Sequence, residues 1–335
     1  MSVPQYLRKA SLITGDESGK ALDLSELRFR FSIRRGDTQT PNSADIRVYN
    51  LSRDTANRVK KEFTRVVIQA GYEGNYGVIF DGTIKQVRFG RESQVDTYLD
   101  ITAADGDRAY NFSMTAVSLA AGQTAPNNAV QYIIKDMATH GVTQGYIPDL
   151  PGNPLPRGKV IYGMTRDALR SLAQNTDTNW SIQDGKVNMI PLTAYMPGDV
   201  PVITAATGMI GLPEQTPNGI KVRVLLNPTI KIGQAIQLDN KSIQQMRYGL
   251  GVNQQQENFF NELASKLNDD GFYYVMVADH TGDTRGNDWY SDLTCLAIDA
   301  TVVPYSQLDK MAPPGNEYID IIGGKNKVGS VKRFG

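Results

Sequence analysis

The chain has few of the side chains on which most enzymes and metal sites depend. Its 335 residues include one cysteine, Cys295, and two histidines, His140 and His280. A single cysteine excludes an intrachain disulfide and a cysteine-based zinc site. Because Cys295 lies within the apolar stretch 293–298, we expect its thiol to be buried.

Net charge and long apolar runs are also absent. The 35 Lys and Arg residues balance the 35 Asp and Glu residues. This balance removes the usual electrostatic support for general nucleic-acid binding, and it does little to oppose association into an assembly. No apolar run approaches the roughly 18 residues that predict a membrane-spanning helix. The N-terminal segment lacks the apolar core of a signal peptide, so we expect synthesis and folding in a cytoplasm.

Nucleotide-binding and hydrolase motifs are missing as well. The sequence contains no phosphate-binding loop of the Gly-x-x-x-x-Gly-Lys-Ser/Thr type and no Gly-x-Ser-x-Gly nucleophile motif. Cleavage of a glycan requires two facing carboxylates, and acidic residues are too plentiful for the sequence to exclude such a pair. The sequence therefore predicts no catalytic residue, no metal ligand and no cofactor.

The segment 43–87 has the clearest structural pattern. Apolar and polar residues alternate on both sides of a polar stretch, which predicts strands that flank a short helix over 53–62. Asn50 and Ser52 suit the N-cap of that helix. Asp81-Gly82 tolerates positive φ and predicts a tight turn or bulge in the last strand.

An earlier strand, over 27–34, has one apolar and one cationic face. Leu27, Phe29, Phe31 and Ile33 form the apolar face, and Arg28, Arg30 and Arg34 lie on the other. Such a strand packs one side on a core. The cationic side is then either solvated or in contact with a partner subunit or a channel lumen.

The region 109–201 reads as a small α/β module. A helical pattern begins at Pro126, and a second helix is predicted to be capped by Thr165. Asp184-Gly185 predicts a type I′ hairpin. His140 precedes a glycine at the predicted end of the first helix, where a cation is favoured by the exposed carbonyl groups.

The region 202–300 alternates again as strands, with a helix predicted over 257–267. Asp279–Asp288 is rich in glycine and aspartate, which predicts a turn-rich connector. A turn and interface role is favoured for His280. Metal binding with Asp279, Asp283 and Asp288 or a catalytic role stays open as an alternative.

Two sets of motifs resemble one protein family. The order strand–helix–strand–strand in 43–87, with its Gly-Tyr corner and Phe-x-Gly turn, resembles the tail-tube-like barrel of baseplate hub proteins from contractile-tailed phages. Gly-Leu-Pro, Leu-Leu-Asn-Pro, Ile-Gly-Gln and His-x-Gly-Asp-Thr-x-Gly-x-x-Trp-Tyr resemble the second barrel of such hubs. Together the resemblances cover about residues 20–300.

The resemblance implies a mainly β fold with an α+β insertion. Residues 1–108 would form the first tail-tube-like β-barrel, 109–201 the insertion module and 202–300 the second barrel. Residues 301–335 would form an extended C-terminal arm.

The resemblance also implies a structural role in the virion, at the tail baseplate, and no enzymatic activity. Three copies with two barrels each would present six similar units, which would adapt a sixfold tail tube to a threefold central spike. The implied partners are the tail tube protein or tube initiator above and the spike protein below, with tape-measure and wedge proteins as further candidates. DNA would pass through the central channel without specific binding.

Contact residues follow from the same hypothesis. The candidates are Arg28, Arg30, Arg34, Asn50, Asp279, His280, Asp283 and Trp289. Two other classes of function stay open. One is a tail-tip enzyme that degrades the cell wall. The other is a glycan-binding attachment module, which would use Tyr72, Tyr76, Tyr273, Tyr274, Trp289 and Tyr290 as stacking platforms.

Overall fold

A computed structural model describes residues 6–16, 19–122, 124–192, 194–216, 219–239, 243 and 271–297. It also assigns two short strands, Glu317–Tyr318 and Lys332–Arg333, which pair with each other. The predicted helix over 257–267 and most of the predicted C-terminal arm lie outside the described residues. No helix within those ranges has the length and apolar character needed to cross a bilayer.

The chain divides into two compact units. Unit 1 contains residues 1–190, 224–232 and 277–292, and unit 2 contains the rest. Unit 1 thus includes two segments that the sequence analysis assigns to the second barrel. The four predicted domains are a finer division than these two units, and their boundaries stay a prediction. The expectation of a mainly β protein that carries a helix-and-hairpin module is confirmed.

The main sheet of unit 1 is antiparallel and wraps a single apolar core. Its strand order is β17-β3-β4-β7-β6-β5-β1-β2. The strands are β1 Arg8–Gly15, β2 Ala21–Asp23, β3 Phe29–Gly36, β4 Ser43–Tyr49, β5 Arg65–Tyr72, β6 Asn75–Arg91, β7 Thr97–Ala104 and β17 Phe272–Asp283, of which residues 277–283 belong to this unit.

The alternation predicted for the cationic strand is confirmed. In β3, Phe29, Phe31 and Ile33 are buried while Arg30 and Arg34 are exposed. Phe31 pairs with Ile46 across the neighbouring strand, so both side chains enter the same core. Burial of such apolar side chains is the main driving force for closing the sheet.

The predicted connector over Asp279–Asp288 is shorter than expected. Strand β17 continues to Asp283, and strand β18 begins at Trp289, so Asp279 and His280 lie in a strand and not in a turn. Residues 277–283 pair antiparallel with β3, which satisfies their backbone groups and extends the strand. The prediction of a turn at His280 was therefore wrong.

Helix α1 spans Arg53–Glu62, as predicted. Ser52 is its N-cap, because the Ser52 side chain accepts a hydrogen bond from the backbone N–H of Thr55 at 3.1 Å. Asn50 does not cap the helix. Its φ of 56° and its side-chain hydrogen bond from the Thr97 amide place it in the turn next to strand β7.

Asp81-Gly82 does not interrupt its strand. Strand β6 runs through both residues. Its pairing with β5 shifts register opposite Ile68 and Gln69, and its pairing with β7 shifts register between Ile84 and Gln86. A bulge, one of the two predicted features, therefore occurs close to Asp81-Gly82. The other, a tight turn, does not form.

The helix-and-hairpin module has a core of its own, built from residues between Ala109 and Met189. Its elements are α2 Asp107–Phe112, β8 Met114–Leu119, α3 Pro126–Ala138, β9 Thr143–Gln144, β10 Lys159–Met164, α4 Thr165–Asn175, β11 Thr178–Gln183 and β12 Lys186–Pro191. The predicted hairpin is confirmed, since Asp184 and Gly185 both have positive φ between β11 and β12.

The predicted cap of the second helix was wrong by one residue. Met164 holds the N-cap position of α4, and no side chain caps the helix there. Thr165 is the first helical residue, and its hydroxyl instead forms hydrogen bonds with Ser113 and Thr115 at 2.7 and 2.9 Å. Tertiary contacts thus use the hydroxyl that the sequence pattern assigned to the helix end.

Unit 2 is built on strands in the order β14-β15-β18-β17-β16-β13. The elements are β13 Val202–Ile203, a 3-10 turn Ala205–Thr207, β14 Met209–Thr216, β16 Ala235–Leu238 and parts of three strands. These parts are residues 219–223 of β15 Gly219–Leu225, residues 272–276 of β17 and residues 293–297 of β18 Trp289–Ala297. Cys295 is fully buried, as predicted, and burial raises the pKa of its thiol.

Gly282 allows two aromatic rings to pack closely over the sheet. A Cβ at this position would collide with the ring of Phe31 and lie 3.0 Å from the ring of Trp289. These rings meet edge to face with centroids 5.5 Å apart in the core of unit 1.

We predict that Gly282→Ala lowers the free energy of unfolding by about 1–3 kcal/mol, because the added methyl group overpacks the core. The measurement is denaturant unfolding. Gly158→Ala is the control, since its Cβ would meet nothing closer than 3.4 Å. Equal stability of the two variants would contradict the packing role of Gly282.

Candidate functional site

A row of charged side chains crosses five neighbouring strands on the outer face of the unit 1 sheet. Strand register sets the row: Asp283 of β17 pairs with Arg30 of β3, Arg30 pairs with Arg47 of β4, Arg47 pairs with Asp100 of β7, and Asp100 pairs with Arg88 of β6. Paired residues lie on the same side of a sheet. We call these residues, Asp283, Arg30, Arg47, Asp100 and Arg88, the charged row.

Asp283 neutralises one end of the row. Its carboxylate accepts hydrogen bonds from both Nε and Nη2 of Arg28, at 3.2 and 2.7 Å, and lies 3.6 Å from Nε of Arg30. The Asp283 side chain is only 6% exposed, whereas those of Arg28 and Arg30 are 44% and 49% exposed. The carboxylate thus lies beneath guanidinium groups that reach solvent.

Asp100 has the same role at the other end. It accepts two hydrogen bonds from Arg47, at 2.7 and 3.1 Å, and a third from Arg88 at 3.4 Å. Its side chain is 14% exposed, against 63% for Arg88. Glu92 lies 3.8 Å from Arg47 and adds a further carboxylate. The directly opposed Arg30 and Arg47 would repel each other without these anions.

Tyrosine rings cover the faces of two arginines. The guanidinium carbon of Arg28 lies 4.8 Å from the ring centroid of Tyr49, and that of Arg47 lies 4.1 Å from that of Tyr98. Stacking and fork-shaped hydrogen bonds together fix a guanidinium group in one orientation. The charged row is therefore ordered, and its positive charge is partly offset.

The ion pairs shift the titration of the groups involved. Burial acts to raise the pKa of the Asp283 carboxyl, but hydrogen bonds from Arg28 and the Arg285 amide outweigh it, and the pKa lies below its ordinary value of 3.8. The hydrogen bond with Asp100 raises the pKa of Arg47. Asp283 and Arg47 are consequently charged at neutral pH.

A shallow groove of about 440 Å³ follows the middle of this face. Charged and hydroxyl side chains supply most of its polar lining, namely Arg30, Ser32, Asp45, Arg47, Arg88, Asp100, Thr102, Thr281 and Asp288. The groove offers hydrogen-bonding groups over a neutral surface, without a nucleophile activated by a base.

The predicted contact residues separate into two groups. Arg28, Arg30 and Asp283 meet at the charged row, and Arg34 lies beside it, with its Nε 3.9 Å from Asp279. Their proposed contact with a partner chain stays a prediction.

His280 and Trp289 point to the other side of the sheet. His280 is buried and its Nδ1 lies 2.7 Å from the Ser291 hydroxyl. Burial lowers the pKa of His280 to about 3, helped by the charges of Arg35 and Lys231, so the ring is neutral at physiological pH. Trp289 donates a hydrogen bond to the Gly71 carbonyl at 3.2 Å. These side chains stabilise unit 1 from within.

Sequence reasoning missed Arg47, Arg88 and Asp100. A signal existed for two of them, because Arg47 alternates with Ile46 and Val48, and Asp100 alternates with Leu99 and Ile101. The strand order that places them beside Arg30 cannot be read from alternation alone, since it depends on pairing between distant segments.

A second cleft, of about 340 Å³, lies between the main sheet and the module within unit 1. Three of its lining residues are Asp81, Asp105 and Asp184, and His140 also contributes to it. Glycan cleavage requires two facing carboxylates, so the engagement of each carboxylate in this cleft decides its role.

Each carboxylate of this cleft already has a structural partner. Asp81 accepts hydrogen bonds from Arg65, and Asp184 accepts one from the buried Arg35 at 2.9 Å. Asp105 accepts hydrogen bonds from the backbone N–H groups of Asp184 and Gly185, at 2.6 and 2.9 Å. Asp105 thereby holds the tip of the β11–β12 hairpin against the main sheet.

No group of three or more His, Cys, Asp or Glu side chains is arranged to hold a metal ion in the part of the chain that the structure describes. In particular, Asp283 is engaged by Arg28 and His280 by Ser291. Two residues of the alternative metal site thus have other roles: Asp283 forms an ion pair, and His280 is a core histidine.

Comparison with known proteins gives one family match. The family model described as baseplate hub gp41 matches residues 9–243 of the chain. No curated protein matches the sequence.

Two of the solved structures that are similar to this chain are tail proteins. The 43 kDa tail protein of prophage MuSo2 from Shewanella oneidensis has a TM-score of 0.54 at 8% identity, over 89% of this chain and 99% of that one. The tail protein from Neisseria meningitidis MC58 has a TM-score of 0.53 at 9% identity, over 87% of this chain and 97% of that one. The fold is therefore one that phage tail proteins use.

We predict a pH-dependent stability difference between the wild-type protein and Asp105→Asn. Burial raises the pKa of Asp105 to about 6, so the folded state binds this proton more tightly than the unfolded state does. The resulting stabilisation is complete below the unfolded pKa near 3.8 and is lost as pH rises through 6. Asparagine resembles the protonated carboxyl at every pH.

The free energy of unfolding of Asp105→Asn should therefore rise relative to wild type between about pH 4 and 6, by about 3 kcal/mol. Denaturant unfolding at a series of pH values measures the difference. Asp177→Asn serves as a control for a general effect of removing one carboxylate. A difference that does not change with pH would contradict the assignment.

Proposed function

The chain belongs to the baseplate hub gp41 family, and on this premise we propose that it is a trimeric hub that joins the tail tube to the central spike. Its role in the phage tail baseplate is structural. Each of three copies would contribute two tube-like β units, so that one ring matches the sixfold tube on one side and the threefold spike on the other.

The family match carries this proposal. It covers residues 9–243, which include strands β2 to β7 and nearly all of β1 in unit 1, the helix-and-hairpin module and part of unit 2. The fold shared with tail proteins over nearly their whole length is consistent with it. Neutral net charge is also consistent, since it does little to keep copies of the chain apart.

The proposed partners are those of a hub at the tail axis. The tail tube protein or a tube initiator would bind above and the spike protein below, while tape-measure and wedge proteins are further candidates. For contact residues we keep the exposed Arg34, with a side chain that is 76% exposed, and helix α1 after Asn50. The buried His280 and Trp289 offer a partner little surface.

We predict that imaging of the intact particle places three copies of this chain around the tail axis, between tube and spike. Light scattering of the isolated protein should give a mass of up to three times 36.9 kDa, with the fraction of trimer rising with protein concentration. Density for the chain away from the tail axis would contradict the proposal, even if the protein forms trimers in solution.

An enzymatic alternative has one observation in its favour. Asp105, with a pKa raised to about 6, lines a polar cleft, and perturbed carboxyl groups in clefts are a mark of active sites. Its two backbone hydrogen bonds assign it to structure instead.

We therefore predict that the wild-type protein releases no soluble fragments from purified peptidoglycan, with lysozyme as the positive control. Release by the wild type that disappears in Asp105→Asn, while the variant remains folded, would establish the cell-wall-degrading enzyme. Release that persists in the variant would point to a contaminating activity or to another site.

A further inference from the structure

We propose that strand β10 of the helix-and-hairpin module binds an extended segment of a different protein, which adds a third strand to a two-stranded sheet. This sheet consists of β8 Met114–Leu119 and β10 Lys159–Met164 in antiparallel register. Among the residues that the structure describes, β10 pairs with β8 alone. The inference goes beyond the proposed hub function, because it concerns a surface to which that function assigns no role.

One face of the two-stranded sheet is covered by the module itself. Thr115 and Leu119 of β8 are buried, and Ile161 of β10 packs against the core of the module. Because side chains alternate along a strand, the residues between these lie on the opposite face. That face, which we call the exposed face, is formed by the cross-strand pairs Met114 with Met164, Ala116 with Tyr162 and Ser118 with Val160.

The exposed face is apolar and carries no charged residue. Tyr162 is 80% exposed, Val160 74% and Met114 55%. Phe112, also exposed, extends the row, because the extended and buried Ser113 separates it from Met114. Single exposed apolar residues are ordinary, but a contiguous apolar patch indicates a contact surface.

The outer edge of β10 offers backbone hydrogen-bonding groups. The amide of Thr165, which follows the strand, donates to the carbonyl of Ser113 at 3.0 Å. Hydrogen-bonded and non-hydrogen-bonded pairs alternate along an antiparallel ladder, so every second residue back from Thr165 bonds with β8. Val160 and Tyr162 are the residues between, and they direct their N–H and C=O groups away from β8. These groups have the spacing that an added strand requires.

The size of the exposed face favours an extended segment over a folded partner. Phe112, Tyr162 and their smaller neighbours expose on the order of 500 Å² of side-chain surface. A stable interface between two folded proteins takes roughly 800 Å² from each partner. A second copy of this chain that met this face alone would therefore be held weakly. An extended segment gains main-chain hydrogen bonds along the edge in addition to the apolar contact.

Charge at the beginning of β10 narrows the chemistry of the partner further. Lys159 is the first residue of the strand, Arg157 precedes it by two positions, and both are exposed. An acidic side chain near one end of the added segment would pair with them, whereas a basic one would be repelled. The partner is therefore an extended segment with apolar side chains at every second position and an acidic residue near one end.

Hydrogen exchange followed by nuclear magnetic resonance tests the edge in the isolated, full-length protein. The amides of Val160 and Tyr162 should exchange at least about tenfold faster than those of Ile161 and Gly163, which bond with β8. Equal protection of all four amides would show that this chain or a second copy already covers the edge. That result would overturn the proposal.

The binding test uses a library of short random peptides selected on the immobilised wild-type protein. Enriched peptides should alternate apolar and polar residues and carry an acidic residue near one end. Binding of the most enriched peptide is then measured by fluorescence anisotropy. N-methylation of one alternate set of its amides should weaken binding at least about tenfold, while N-methylation of the other set should not, because only one set faces β10.

Two variants locate the binding site of that peptide. Tyr162→Ser removes the most exposed ring of the exposed face, and Val160→Pro removes an N–H group that does not bond with β8. Each should weaken peptide binding at least about tenfold. Tyr132→Ser is the matched control, since Tyr132 is an exposed tyrosine on helix α3, and it should bind as wild type does. Circular dichroism confirms folding, and Tyr162→Ser decides the matter if Val160→Pro is unfolded.

The proposal is overturned if no peptide is enriched, or if Tyr162→Ser binds the enriched peptide as tightly as Tyr132→Ser does. It is also overturned if light scattering shows that Tyr162→Ser alone lowers the mass of the wild-type assembly, because a second copy would then cover the face. None of these results bears on the position of the chain in the particle, which tests the hub function separately.

Discussion

The antiparallel pairing of β3 with residues 277–283 of β17 is the interaction on which the rest of unit 1 depends. It joins segments that are about 250 residues apart in the chain and sets Asp283 opposite Arg30 and His280 opposite Ile33. Because side chains alternate between the two faces, one register sends Asp279 and Asp283 to the arginines and His280 to the core. A slip by one residue would bury the carboxylates and expose the histidine.

The same pairing explains the aromatic packing beneath the sheet. Gly282 lies opposite Phe31, and its missing side chain leaves room for the rings of Phe31 and Trp289. Trp289 then reaches the Gly71 carbonyl at the end of β5. One strand therefore supplies a carboxylate to the outer face and the space for an aromatic cluster to the inner face. The packing of the core and the position of the charged row therefore depend on the same strand register.

The sequence allowed good prediction where the controlling interactions are local. Helix α1 and the Asp184-Gly185 hairpin follow from capping and turn chemistry within a few residues, and the β3 alternation follows from its own period. Prediction failed where distant segments compete. The Thr165 hydroxyl forms hydrogen bonds with Ser113 and Thr115 instead of capping a helix. The segment 279–283, which was predicted to be part of a connector, forms a strand because it pairs with β3.

The candidate site was predictable only in part for the same reason. The arginines of β3 stand out in the sequence, but their carboxylates come from β7 and β17, and no local pattern specifies which strands are neighbours. The chain was expected to carry a cationic face. The fold offsets part of that positive charge by placing Asp283 against Arg28 and Arg30, and Asp100 against Arg47 and Arg88. Equal numbers of acidic and basic residues in the whole chain do not place any carboxylate beside these arginines. Their pairing therefore depends on strand order.

Ion pairs can join neighbouring strands on a solvated sheet face more firmly than neutral side chains can. An exposed sheet face of this kind cannot be apolar, because a large apolar patch binds other proteins. Serine or threonine in place of the charged row would remain polar but would give up the bidentate contacts between Arg47 and Asp100 across neighbouring strands. Paired charges fix the strands to one another and leave the surface hydrated, with part of its positive charge offset. On this argument the arginines order the sheet, and Asp283 and Asp100 hold them in fixed positions.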